Sequence, residues 1–294
     1  MITCLSFHAA YRCRQSGACC QAGWAIPFDD DEVESVRALH LTGGSLSAGR
    51  SGRTIAARDA DGTCTFFSRD THDCVIQRAG GHAALPVSCR MFPRVVRQDA
   101  RGTAISLSHY CPTAAALLFD ESSPLTVTIV EGPPTFADVG ALEGLDAREE
   151  WPPLLRPQVL MDLDDYASWE RLGVELLTRD GLAASTSLDA LAAVTATIVK
   201  WSPGGGSPLQ HAIENAFSAS TPPADDAPGA DERALKRWLA ARLFANWTAY
   251  QGDGLEAIVA YLGGCLETFR IELRRDDDAR EAIRRSDLLI LHRA

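Results

Sequence analysis

The chain has 294 residues, 46 % of them apolar, enough for one large or two ordinary domains with a sizeable core. Its 39 acidic against 28 basic residues give a net charge of −11. That excludes the clustered Lys and Arg a phosphate backbone requires, and no run nears the ~20 apolar residues of a membrane span.

Eight of the nine cysteines lie in the first 111 residues. Residues 1–28 read as an irregular, ligand-bearing loop. Its first eight residues show neither a basic nor an apolar leader region, so a cytoplasmic setting is expected. Around Cys13, Cys19 and Cys20 the chain mixes Gly and Ser with no periodicity, and Gly17 permits a tight turn. A helix then starts at Asp29 or Asp30, turns Val33, Val36 and Leu39 inward, and ends at Gly43-Gly44. Residues 45–62 are rich in Ser, Gly and Arg, a surface connection or hairpin. Phe66 and Phe67 make a short strand, and a turn over 70–73 returns Cys74 toward Cys64, with Asp70 and Asp73 as turn residues. One or two helical turns follow over 75–80. Two prolines, Pro86 and Pro93, bracket Cys89. Strands over 94–97 and 104–107 join at 99–102 as a hairpin. Pro112 suits a first helical turn, so Cys111 sits where a strand meets a helix start, a place that favours a thiolate. Residues 125–130 read as the last strand, and the Pro- and Gly-rich stretch 132–157 as the boundary.

Beyond it the pattern is helical. Tyr166, Trp169, Leu172, Leu176 and Leu177 share one face, and Leu188, Leu191, Val194, Ile198 and Trp201 another. A short helix is predicted over 208–218, then a flexible linker over 218–231. Apolar faces follow from Leu235 to Trp247 and from Leu255 to Phe269, with a last helix over 279–291. The predicted fold class is α+β. A small Cys-rich metal-binding lobe with short strands spans 1–132, and a mainly helical lobe spans 150–294.

In a reduced compartment, clustered cysteines point to metal ligation more than to disulfides. Adjacent Cys19 and Cys20 would make a strained disulfide with each other, whereas each thiolate can reach a metal. The candidate ligands are Cys13, Cys19, Cys20, Cys64, Cys74, Cys89 and Cys111. Four thiolates complete a zinc site or a four-iron cluster, so seven allow a cluster with spare thiols or two metals. Cys265 lies in an apolar helix and reads as a buried hydrophobe, and Cys4 lacks a partner spacing. His72, His82 and His109 are further candidate ligands near cysteines. Arg90 and Arg94 flank Cys89 and read as members of structural ion pairs. The acidic run Asp276-Asp277-Asp278 reads as a solvated helix cap.

Cys13 to Cys20, the Cys64 and Cys74 pair, and Cys89-Arg90-Met91-Phe92-Pro93-Arg94 together resemble the bacterial cysteine-cluster proteins described as zinc- or iron-chelating domains. That family's loop often reads CxxCxxCC, and its second position here is Ser16. Along the whole chain, the order of these segments and the helical half ending in Leu288-Leu289-Ile290-Leu291 are similar to flagellin lysine-N-methylases. The resemblance implies a 4Fe-4S cluster, S-adenosylmethionine as methyl donor, and a lysine of a protein or peptide substrate as acceptor. No GxGxxG precedes a helix and no CxxxCxxC run occurs, so no S-adenosylmethionine site follows from motifs. The alternatives are a non-enzymatic zinc- or iron-binding module, and a structural zinc protein whose helical half binds a partner.

Overall fold

A computed structural model describes every residue except 50–51, 123, 125, 133–143, 151, 221, 223–228 and 292–294. The loop expected over residues 1–28 is more ordered than its sequence suggests. It holds a strand, β1 (Ile2–Leu5), a 3-10 turn at His8–Ala10, a one-turn helix α1 (Ala18–Gln21) and a second strand β2 (Pro27–Phe28). A four-residue strand is too short to declare a period, and β1 is held by partners far along the chain.

The helix α2 (Asp30–Ala38) begins as expected. Asp29 accepts from the Glu32 N–H at 2.7 Å, and Glu32 accepts from the Asp29 N–H at 3.1 Å, a complete capping box. Next come β3 (Leu46–Ala48) and β4 (Thr54–Ala56), which form a small antiparallel sheet in the order β2–β4–β3. The tight pair β5 (Phe67–Ser68) and β6 (Asp73–Cys74) sets Phe67 opposite Cys74. Short helices α3 (Val75–Gly80) and α4 (Val87–Met91) follow.

The expected hairpin is present and longer than predicted, as β7 (Arg94–Asp99) and β8 (Gly102–Leu107). Gly102 has φ 127°, and a Cβ there would stand 2.2 Å from the Met1 carbonyl oxygen, so the backbone approach needs glycine. Pro112 opens α5 (Pro112–Leu118) as foreseen. The strand predicted over 125–130 is only β9 (Ile129–Glu131), and residue 125 lies outside the described residues. Nor is it the last. The supposed boundary contributes β10 (Leu145–Asp146), with β11 (Leu154–Arg156) and β12 (Val159–Leu160) after it. The main sheet runs β10–β7–β8–β1–β9, with β1 parallel to β8 and antiparallel to β9.

Six helices complete the described chain: α6 (Leu163–Leu177), α7 (Ala184–Ile198), α8 (Leu209–Ala219), α9 (Ala230–Leu243), α10 (Leu255–Asp276) and α11 (Ala279–Leu291). Asp278 caps α11, its carboxylate accepting from the Arg280 and Glu281 N–H groups, as expected for the acidic run. The apolar face expected to reach Trp247 stops at Leu243. Ala245 turns the chain with φ 57°, and Trp247 lies in a 3-10 turn, its indole donating to the Val96 carbonyl at 3.0 Å. Most of the linker predicted over 218–231 lies outside the described residues. No helix among the described residues is long and apolar enough to cross a membrane.

Two cores result. The larger joins Leu5, Phe7, Ala104, Leu118 and Val127 of the strand-rich part to Trp169, Trp238 and Leu262 of the helices. Several polar groups buried at this seam are paired. Arg97 meets Glu170 at 2.8 Å and Asp99 at 3.2 Å, and the Ser106 hydroxyl donates to the Ala241 carbonyl at 2.9 Å. The smaller core gathers Ile26, Phe28, Val33, Val36, Phe66 and Ile76 around cysteines.

Candidate metal centre

Four separate segments deliver thiols to the smaller core. α1 carries Cys19 and Cys20, β6 carries Cys74, α4 carries Cys89, and Cys64 lies in the stretch between β4 and β5. Backbone hydrogen bonds fix them. The Cys64 N–H donates to the Cys20 carbonyl at 2.8 Å, and the Phe67 N–H donates to the Cys64 carbonyl at 2.9 Å. Glu32 adds a longer link, accepting from the Val87 N–H at 2.6 Å and so tying the start of α2 to the start of α4. The expected return of Cys74 toward Cys64 is therefore present.

The Cys20 thiol hydrogen-bonds to Cys19 and Cys74, which raises Cys20 and lowers both partners, Cys74 to about 7. Burial raises Cys64 to about 11 and pushes Cys89 well up, the latter helped by the fields of Cys19, Cys74 and Cys64. Among the described residues no three Cys, His, Asp or Glu side chains stand as a ready-made metal cage. These five thiols are neighbours in one core, and hydrogen bonds from Cys20 link three of them, Cys19, Cys20 and Cys74.

Cys13 and Cys111 belong to a second, smaller group. Tyr11 is buried, with its hydroxyl 3.8 Å from the Cys111 Sγ, and Cys13 is exposed, its sulfur accepting from the Gln15 N–H at 3.4 Å. The start of α5 does not leave Cys111 thiolate-like. Burial raises it, and the Ala114 and Thr113 N–H groups offset only part. Cys4 is buried in β1, raised by burial to about 11, and Cys265 is buried in the helical core as expected.

The histidines are not gathered with the thiols. His72 is an exposed turn residue with φ 54°, His82 is exposed, and His109 is fully buried with its Nε2 3.1 Å from the Nε2 of His8. Arg90 is a correction. It braces the loop before α4, donating at 3.0 Å to the Ala83 and Leu85 carbonyls. Arg94 likewise donates to the Arg90 and Met91 carbonyls. Asp73 both shapes its turn, accepting from Thr71, and pairs with Arg78 at 3.0 Å.

A cleft of about 480 Å³ opens beside the smaller core, with Phe28 of that core in its wall. Asp29, Asp30, Glu32, Arg53 and Ser88 line it, and Ser88 precedes Cys89. Three half-exposed aromatic rings, Trp24, Phe92 and Tyr110, meet at centroid distances of 5.0, 5.9 and 6.4 Å. Neither the cleft nor the ring cluster had a local sequence signal, since each is assembled from segments far apart in the chain. Compared with known proteins, the chain matches no family model, no curated protein and no solved structure.

Proposed function

We propose that this is a thiolate metal protein whose centre draws its ligands from Cys19, Cys20, Cys64, Cys74 and Cys89, with a 4Fe-4S cluster as the occupant. The observation that carries the reading is the meeting of five thiols from four segments in one small core. The donor chemistry fits: sulfur only, buried or half-buried, with enough thiols for the four a cluster or a zinc takes. Ligation would remove the thiol protons and exchange the Cys20 hydrogen bonds for metal–sulfur bonds. A bound cluster supplies electron transfer or Lewis acidity. The chain's own part is to hold the sulfurs against one small core, with Ser88, the neighbour of Cys89, in the wall of the cleft.

Methyl transfer from S-adenosylmethionine to a protein lysine is the activity we attach to this centre. The cleft supports it through the Asp29 and Asp30 carboxylates, which suit an ammonium group, in a wall that also holds Ser88, the residue before Cys89. A non-enzymatic zinc or iron module is the alternative, supported by the same thiols without the cleft.

Metal analysis on protein purified without oxygen separates them. About four irons per chain with a broad visible absorption is the expected result. One colourless zinc would overturn the cluster and with it the methyl-transfer reading. With iron present, S-adenosylmethionine should be consumed when a lysine-rich peptide is added, and no consumption would leave a binding module. Cys19→Ser and Cys89→Ser should lose the metal while Cys265→Ser keeps it. Full metal in all three would show the ligand set to be wrong.

A further inference from the structure

The last helix grips Tyr110 by both of its peptide groups. Asp287 of α11 is fully buried and accepts from the Tyr110 N–H at 3.3 Å, the His109 N–H at 2.5 Å and the Ser108 hydroxyl at 2.9 Å. One turn earlier, Arg284 donates its Nε–H to the Tyr110 carbonyl at 3.1 Å, and its guanidinium lies 5.5 Å over the Tyr110 ring. Asp287 is itself fixed from α9, by the Trp238 indole N–H at 2.7 Å and by Arg242. A carboxylate so heavily used and so dry is costly to disturb, because each donor it loses stays buried.

The grip passes on to the thiol segments. The Tyr110 ring packs edge-on against Trp24 and Phe92, 5.9 and 6.4 Å away. Trp24 follows Cys19 and Cys20 on one loop, and Phe92 follows Cys89 at the end of α4. Both Cys19 and Cys89 are only half-buried, and Cys19 lies close enough to Tyr110 for its thiol to act on the phenol electrostatically.

We propose that Asp287 and Arg284 are positioning residues that clamp the Trp24–Phe92–Tyr110 cluster and thereby set the accessibility of Cys19 and Cys89. The clamp takes its functional meaning from the metal reading above but acts on the thiols themselves. The helical lobe is then part of the centre, not a neighbour of it.

The test is residue-resolved alkylation of the full chain as purified, read by mass spectrometry, with metal content measured on the same samples. Arg284→Leu is the primary variant, since its side chain is partly exposed and the fold should tolerate the change. Asp287→Asn is the second. Each should speed labelling of Cys19 and Cys89 at least tenfold and leave Cys4, buried in β1 away from the clamp, at its wild-type rate. Equal acceleration at Cys4 would show general loosening, and unchanged rates at Cys19 and Cys89 would show no clamp. Either result overturns the proposal. Where the samples contain metal, a chelator should strip it at least tenfold faster from both variants. Samples without metal would sink the metal reading, while the labelling would still decide the clamp.

Discussion

His8 and His109 sit ring to ring in the dry interior, and burial lowers both far below the ordinary 6.5. For His8 the neighbouring His109 lowers it further, and the Asp287 carboxylate recovers part. For His109 the Arg242 guanidinium adds to the lowering. The sign of the consequence follows from proton counting. Below 6.5 the unfolded chain binds protons that the folded rings refuse, so stability is present above that value and falls as pH drops. The slope is about 1.4 kcal/mol per pH unit for each ring. The urea midpoint should therefore decrease from about pH 6.5 to about pH 5, and His8→Gln should show a shallower decrease. Parallel profiles for the two proteins would show that the pair does not carry the effect.

Among the elements, α1 depends on a single residue at its start. Gly17 begins it at φ 70°, and a Cβ there would stand 2.3 Å from the Phe67 ring, which lies opposite Cys74. Gly17→Ala should cost about 1–3 kcal/mol in backbone strain before any clash is counted. Displacing Phe67 should also disturb the pairing that returns Cys74. Thermal unfolding should shift down and metal content fall together. A stable variant with full metal would show that α1 tolerates another start. By contrast α2 needs nothing distant. Its Asp29 and Glu32 capping box and its buried Val33 and Val36 lie within one turn or two, which is why it was legible in the sequence. The hairpin β7–β8 was legible for the same reason, through alternation and turn residues, whereas β1 was not, because its partners Thr103 to Ile105 and Ile129 to Glu131 lie about a hundred residues away or more.

At the scale of the whole molecule, the strand-rich and helical parts share a core and a set of buried charges. Burial works against the Arg97 guanidinium, and Glu170, Tyr166 and Asp99 together more than restore it. Arg97→Met would leave Glu170 in the dry seam with Arg101 at 3.8 Å as its remaining cation. Chemical denaturation should register a loss of about 3–5 kcal/mol. A loss below about 1 kcal/mol, the scale of an exposed pair, would show the seam to be wet. A fragment of residues 1–132 should lack a cooperative unfolding transition, since Leu5, Phe7 and Ala104 would lose the helices that cover them. A sharp transition in that fragment would make the first part an independent domain.

What the sequence alone determined was local: the α+β class, the helix faces, an acidic cap at Asp29 or Asp30, the hairpin, and the expectation that clustered thiols do shared work. These follow from periodicity, caps and turn chemistry, which act over a few residues. Tertiary structure decided which thiols stand together, separating Cys13 and Cys111 from Cys19, Cys20, Cys64, Cys74 and Cys89. It also brought Asp287 and Arg284 to Tyr110 across more than a hundred and seventy residues of chain. Long-range packing sets such meetings, and no local spacing encodes them.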